Sequence, residues 1–142
     1  MTAGDESLSL LIGRVAKELS RAFDDVLVAA GGSTPTWQVL RALSAGDHRT
    51  QADLAAAIGV RQPTLTHHLD ALERAGLVTR ERADANRRVQ RVTVTESGAH
   101  LFLRLRRAAA SFDGRLRAGL DDADVTELRR LLAQLAEDAR PD

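Results

Sequence analysis

A mostly helical domain carrying one small β-hairpin is the fold class that the sequence predicts, and three observations predict it. Apolar residues recur at helical spacing through six separate stretches. One alternating, valine-rich run between the fourth and fifth stretches has strand character. The only aromatic residues are Phe23, Trp37, Phe102 and Phe112, so the core must be built from Leu, Val and Ala, which favours packed helices over a sandwich.

Each element follows in order. From Leu8 to Ala30, the positions Leu8, Leu11, Ile12, Val15, Leu19, Ala22, Phe23 and Val26 keep a 3.6-residue period, which is a long amphipathic helix ended by Gly31-Gly32. Thr34-Pro35 reads as an N-cap with proline at the first helical position, opening a second helix through Trp37, Leu40 and Leu43 to Gly46. Thr50 caps a short third helix, with Asp53 three residues on as in a capping box. Leu54, Ala57 and Ile58 form its apolar face and Gly59 closes it. Pro63 opens a fourth helix to about Ala75, burying Leu65, Leu69 and Leu72, with Gly76 at its end. Leu77 to Arg82 and Arg88 to Thr95 are two antiparallel strands joined by a turn over residues 83–87, where Asp84 and Asn86 are turn formers. Gly98 introduces a fifth helix with Leu101, Phe102, Leu105, Ala109, Phe112 and Leu116 on one stripe. Asp121 caps a sixth, Asp122 and Asp124 suit the positive end of its dipole, and Val125, Leu128, Leu132 and Leu135 are its seam.

Composition excludes several function classes. There is no cysteine, hence no disulfide, thiolate metal site or thiol redox sensor. No glycine-rich phosphate loop and no G-x-S-x-G occurs, so no enzyme is expected. His48, His67, His68 and His100 do not cluster with carboxylates, and adjacent helical residues such as His67 and His68 point about 100° apart, so neither metal nor cofactor is expected. Residues 1–9 hold Asp5 and Glu6 without a basic stretch, which does not read as a signal peptide. No apolar run approaches the ~20 residues that span a bilayer. The expected location is the cytoplasm.

The informative stretch is Thr50 to Gly76, TQADLAAAIGVRQPTLTHHLDALERAG. Two short helices around one tight glycine turn make helix-turn-helix geometry. The second carries Gln62, Thr66, His67 and Asp70 opposite its apolar face, with Thr64 near its start; short polar side chains there can reach base edges in the major groove. A merely solvated face is the alternative for such a pattern alone. The hairpin adds weight, because Arg80, Arg82, Arg87, Arg88 and Arg91 lie on its strands and tip, where phosphate and the minor groove could be clamped. The total charge of zero conceals this: residues 61–91 hold seven arginines against four acids, and residues 121–142 seven acids against three arginines. The residues selected for contact with double-stranded DNA are Thr50, Gln51, Arg61, Gln62, Thr64, Thr66, His67, Arg80, Arg82, Arg87 and Arg88.

The run TQADLAAAIGVRQPTLTHHLDALERAGLVTRERADANRRVQRVTVTESG resembles the helix-turn-helix and wing of the MarR family of bacterial transcriptional regulators. TQADLA, LDALERAGLVTR and the closing VTVTESG are the most specific pieces. The resemblance implies an α/β winged helix-turn-helix, dimerised through N- and C-terminal helices, that binds a pseudo-palindromic operator and is often a repressor released by a small ligand. Two departures stand out. The family wing usually reads Asp-Arg-Arg where this chain has Asn86-Arg87-Arg88, and His67 occupies a position that is often arginine.

The domain organisation read from these elements is an N-terminal dimerisation helix over 1–33, a winged DNA-binding domain over 34–98 and C-terminal dimerisation helices over 99–142. The apolar stripes of the terminal helices exceed what so small a core can bury, so a homodimer is expected. Trp37 is either core or the wall of a cleft for a small aromatic effector, with Arg14 or His100 near its rim. Phe23, Phe102 and Phe112 read as core and dimer packing. Arg104, Arg106 and Arg107 read as a solvated face or as partners for the acidic C-terminal segment. The other function class is an adaptor dimer that keeps the fold without binding DNA.

Overall fold

The computed structural model describes residues 4–46, 50–83 and 86–142, with the side chains of residues 82–90 outside that description. Eight elements follow in the order expected: α1 (Leu8–Ala29), α2 (Thr34–Ala45), α3 (Gln51–Ile58), α4 (Gln62–Arg74), β1 (Val78–Ala83), β2 (Asn86–Val94), α5 (Glu96–Arg117) and α6 (Asp122–Asp138).

Two compact units divide the chain, Met1–Ala109 and Ala110–Asp142. The core of the first is aliphatic. Leu27, Val39, Leu40, Leu54, Leu65, Leu69, Leu72, Val78, Leu101 and Leu105 are buried together, with Phe23, Trp37 and Phe102 packed against them. Full burial of one such leucine contributes about 1.5–3 kcal/mol, so this cluster dominates the fold's stability. Much of the stripe expected on α1 is left uncovered by the chain's own core, as the sequence predicts. Leu27, absent from that stripe, is the residue of α1 that the core swallows whole. Leu8, Ile12, Val15 and Leu19 stay exposed, because only the C-terminal part of α1 meets the core of its own chain.

Local chemistry sets the element ends. Ser33, not Thr34, caps α2: its hydroxyl accepts the Thr36 N–H at 3.3 Å, and Thr34 is already helical. Thr34 is occupied elsewhere, since its N–H and its hydroxyl both donate to Asp24 Oδ1 at 2.9 Å and tie α2 to α1. In α3, Ala55 is buried beside Leu54, whereas Ala57 of the expected face is exposed and Ile58 half-buried. The hairpin is longer than the sequence suggested. Val78 pairs with Val94, Thr79 with Thr93 and Arg80 with Val92, and the ladder runs on to Ala83 and Asn86 after an irregularity between Arg82 and Ala83.

The second unit holds the end of α5 and all of α6. Asp121 caps α6 through a reciprocal box with Asp124, at 2.7 and 3.1 Å. Leu128, Leu131, Leu132 and Leu135 of α6 are all exposed. Among the described residues, no helix is long and apolar enough to cross a membrane.

Candidate nucleic-acid interface

The helix-turn-helix is built by caps and one left-handed glycine. The Thr50 hydroxyl accepts the Asp53 N–H at 3.0 Å and starts α3. Gly59 ends it at φ 84°, a conformation that side chains with a Cβ resist, and its N–H bonds to Ala55 O at 2.8 Å. Arg61 then caps α4 with no side-chain acceptor, and Pro63 sits in the first turn. Leu65, Leu69 and Leu72 fasten one side of α4 into the core.

The remaining surface of α4 includes two stripes with different surroundings. Thr66, Asp70 and Glu73 make their contacts within the fold. The Thr66 hydroxyl lies 3.2 Å from Gln51 Oε1 and 3.0 Å from Gln62 O, stitching the start of α3 to α4. Asp70 and Glu73 both face the guanidinium of Arg80 on β1, with Glu73 Oε1 at 3.2 Å, and Glu73 Oε2 also accepts the Arg80 N–H at 3.1 Å. The second stripe, Thr64, His67, Ala71 and Arg74, is exposed throughout. Arg61 and Gln62, at the start of α4, are exposed as well, while Thr50 and Gln51 are half-buried.

Charge follows this division. A helix offered to a polyanion would be repelled by Asp70 and Glu73, and Arg80 counters both. The Arg80 side-chain hydrogen bond holds the Glu73 carboxyl below the usual carboxylate range, and the guanidinium of Arg80 is in turn raised, first by its bond to Glu73. The Arg80 side chain is only 18% exposed.

The hairpin is anchored next to α4. Thr95 N–H bonds to Leu77 O at 3.0 Å, and the Thr95 hydroxyl donates to Gly76 O at 2.6 Å while accepting the Gly98 N–H at 3.1 Å. Thr95 thus caps α5, which begins at Glu96 rather than at Gly98. A Cβ at Gly98 would stand 2.1 Å from Leu77 O, so the close approach of α5 to the foot of β1 requires glycine there. Arg91 is exposed on β2. Arg82, Arg87 and Arg88 have described backbone in the strands, but their side chains lie outside the described part, and His48 lies outside the described residues altogether.

The residues expected around an effector cleft are spread out. The Trp37 ring stacks on Phe102, with centroids 5.5 Å apart and planes at 20°. Arg14 pairs with Glu6 at 3.1 Å and Glu18 at 3.5 Å. It lies ten residues before Asp24, the residue that holds Thr34, which is about 15 Å along α1. His100 is exposed on α5. A separate open cleft of about 350 Å³ is lined by Gln38, Arg41, Ala42, Ala45, Gly46, Ala57 and Ile58. Of the basic cluster on α5, Arg104 reaches back to Ala30 O at 3.4 Å, across the end of α1. Among the described residues, no group of three or more His, Asp or Glu could hold a metal ion.

Sequence reasoning missed Arg74 and the engagement of Arg80. Arg74 was legible in the spacing i, i+3, i+7, i+10 from Thr64. The pairing of Arg80 was not, because it depends on where β1 leaves α4.

Residues 31–89 match the model of the MarR family. The chain is 26% identical to the transcriptional repressor CouR bound to a 23-mer DNA duplex, over 96% of this chain and 98% of that one, with a TM-score of 0.85. CouR from Rhodococcus jostii RHA1 bound to p-coumaroyl-CoA superposes with a TM-score of 0.77 at 24% identity, covering 100% of both chains. The transcriptional regulator MosR of M. tuberculosis in complex with DNA is 28% identical over 96% of this chain and 100% of that one, with a TM-score of 0.74.

Proposed function

We propose that the chain is a winged-helix regulator of the MarR type, whose family model matches residues 31–89, and that it is a sequence-specific transcriptional regulator that binds double-stranded DNA as a homodimer and represses until a small ligand releases it. One observation carries this reading: the exposed stripe Thr64, His67, Ala71 and Arg74 on α4, beside an anchored hairpin and with the acids of α4 countered by Arg80.

In this reading α4 enters the major groove, with Thr64 and His67 nearest the base edges. Thr50, Gln51, Arg61 and Gln62 lie at the starts of α3 and α4, where backbone amides and short polar groups favour phosphate. The wing arginines, Arg82, Arg87 and Arg88, clamp the backbone beside it. The exposed leucines of α1 and α6 meet a second copy, which sets the distance between the two reading helices. The arms are residues 1–33 and 99–142, and the reading domain is 34–98. CouR has been solved with p-coumaroyl-CoA. For this chain we infer an aromatic effector seated against the Trp37–Phe102 pair, near the junction of α1, α2 and α5. The protein acts in the cytoplasm and is a regulator rather than an enzyme.

Selection from a random pool of duplex DNA tests this. Enrichment of a pseudo-palindrome with half-site centres about 34–36 Å apart is the expected result. A purified dimer that enriches no sequence would overturn it in favour of the adaptor.

A further inference from the structure

We propose that Arg80 is a positioning residue, held off the DNA by Asp70 and Glu73, which sets the wing against the reading helix. The proposal rests on the DNA-binding reading above and adds what one arginine does within it. An arginine at the foot of an arginine-rich wing would ordinarily count as one more phosphate contact. Its surroundings argue otherwise. Its side chain is 18% exposed, and its guanidinium is shared between two carboxylates three residues apart on α4. Glu73 also takes the Arg80 N–H with its other oxygen, at 3.1 Å, so one carboxylate grips the strand by main chain and side chain together.

The geometry has two consequences. The first is orientation. β1 leaves α4 through three residues, Ala75 to Leu77, and Arg80 lies three residues into the strand's climb. Fixing Arg80 to Asp70 and Glu73 fixes the direction in which the strand leaves α4. The second is charge. Without Arg80, two carboxylates would face the duplex unpaired from the helix meant to enter its groove. With it, the acids serve as anchors for the wing. Arg82, Arg87 and Arg88 are left to meet phosphate.

Coulomb's law alone gives the opposite sign for the decisive variant. Removing two negative charges beside a polyanion should tighten binding. If Arg80 is a brace, D70N/E73Q loosens binding instead, because the wing loses its bearing. The experiment compares wild type, R80M, D70N/E73Q and the triple variant. Each is titrated with the selected operator and with a random duplex at several salt concentrations, at a temperature where all four are folded by circular dichroism. Expected are about tenfold weaker binding of D70N/E73Q to both duplexes, a shallower salt dependence as wing phosphates are lost, and no further loss when R80M is added. Tighter binding of D70N/E73Q, with R80M still costing affinity in that background, would overturn the proposal and make Arg80 a direct contact. Lowered melting temperatures with binding unchanged would also overturn it, leaving the cluster purely structural. If wild type binds no duplex at all, the DNA-binding reading itself falls and takes this proposal with it.

Discussion

Gly98→Ala separates steric demand from helix propensity, because the two push in opposite directions. Gly98 lies in the first turn of α5, where replacing glycine by alanine ordinarily stabilises a helix by about 0.5–1 kcal/mol. Here the new methyl would sit 2.1 Å from Leu77 O and 2.9 Å from Val94 Cγ1. Relief requires a shift of roughly 1 Å between α5 and the foot of β1, and such overpacking costs about 1–3 kcal/mol. The shift strains the hydrogen bonds of Thr95 to Leu77 and Gly76, each worth about 0.5–1.5 kcal/mol. The balance is a loss of about 2–4 kcal/mol. At about 2–4 °C per kcal/mol for a chain of this size, the melting temperature should fall by roughly 5–15 °C. Thermal unfolding at one fixed protein concentration measures it. Gly114→Ala is the control, since it lies in the same helix with nothing within 4 Å of its added Cβ, and it should match or exceed wild type. Equal melting of the two variants would refute the close-approach reasoning.

Four further outcomes follow from the same geometry. Leu69→Ala, at a fully buried site between Leu65 and Leu72, should cost about 2–5 kcal/mol in urea unfolding, and a negligible change would misplace the face of α4. Thr66→Val should lose affinity equally on operator and random DNA while Thr66→Ser keeps it, since the hydroxyl bonds within the fold; a loss confined to the operator would make it a base reader. Light scattering should give about twice 15.4 kDa at micromolar concentration, and a folded monomer would refute the arm assignment. Glu73 has its folded pKa below its unfolded value, so its contribution to stability is present above the usual carboxylate range of about 4.3 and is lost as pH falls through the folded value. Unfolding followed from pH 6 to pH 3 should therefore show a smaller acid loss for Glu73→Gln than for wild type, and identical profiles would deny the pairing.

The order of helices and the hairpin was legible because each rests on a local rule. Leu65, Leu69 and Leu72 keep a period, Thr50 and Asp121 are caps, and Gly59 is a turn residue. What escaped depended on neighbours distant in sequence. Leu27 is buried and Leu19 is not because the core of the chain reaches only the C-terminal part of α1, which periodicity cannot report. Ser33 displaced Thr34 as the cap because Asp24, ten residues earlier, claims the threonine. At the candidate interface, the exposed positions Thr64 and His67 could be read from the helical wheel. The internal engagement of Thr66 and Arg80 could not, since it needs Gln51 and Glu73 to be brought alongside.

Thr95 is the point where the end of α4, both feet of the hairpin and the first turn of α5 are fastened together. Mechanically, that makes a fulcrum with arms of unequal length. The six residues of β1 reach about 20 Å from it, at roughly 3.3 Å per residue. A tilt of about 10° in the opening turn of α5 would move the far end of β1 by roughly 3.5 Å if the strand followed it rigidly. The same tilt carries Leu101, six residues further along and buried, by roughly 1.5 Å, so it can occur only if the core around Leu101 and Leu105 repacks. Thr95 therefore fastens the hairpin to α5 as Arg80 fastens it to α4, and shortening β1 and β2 by one pair at their far ends should leave both attachments intact.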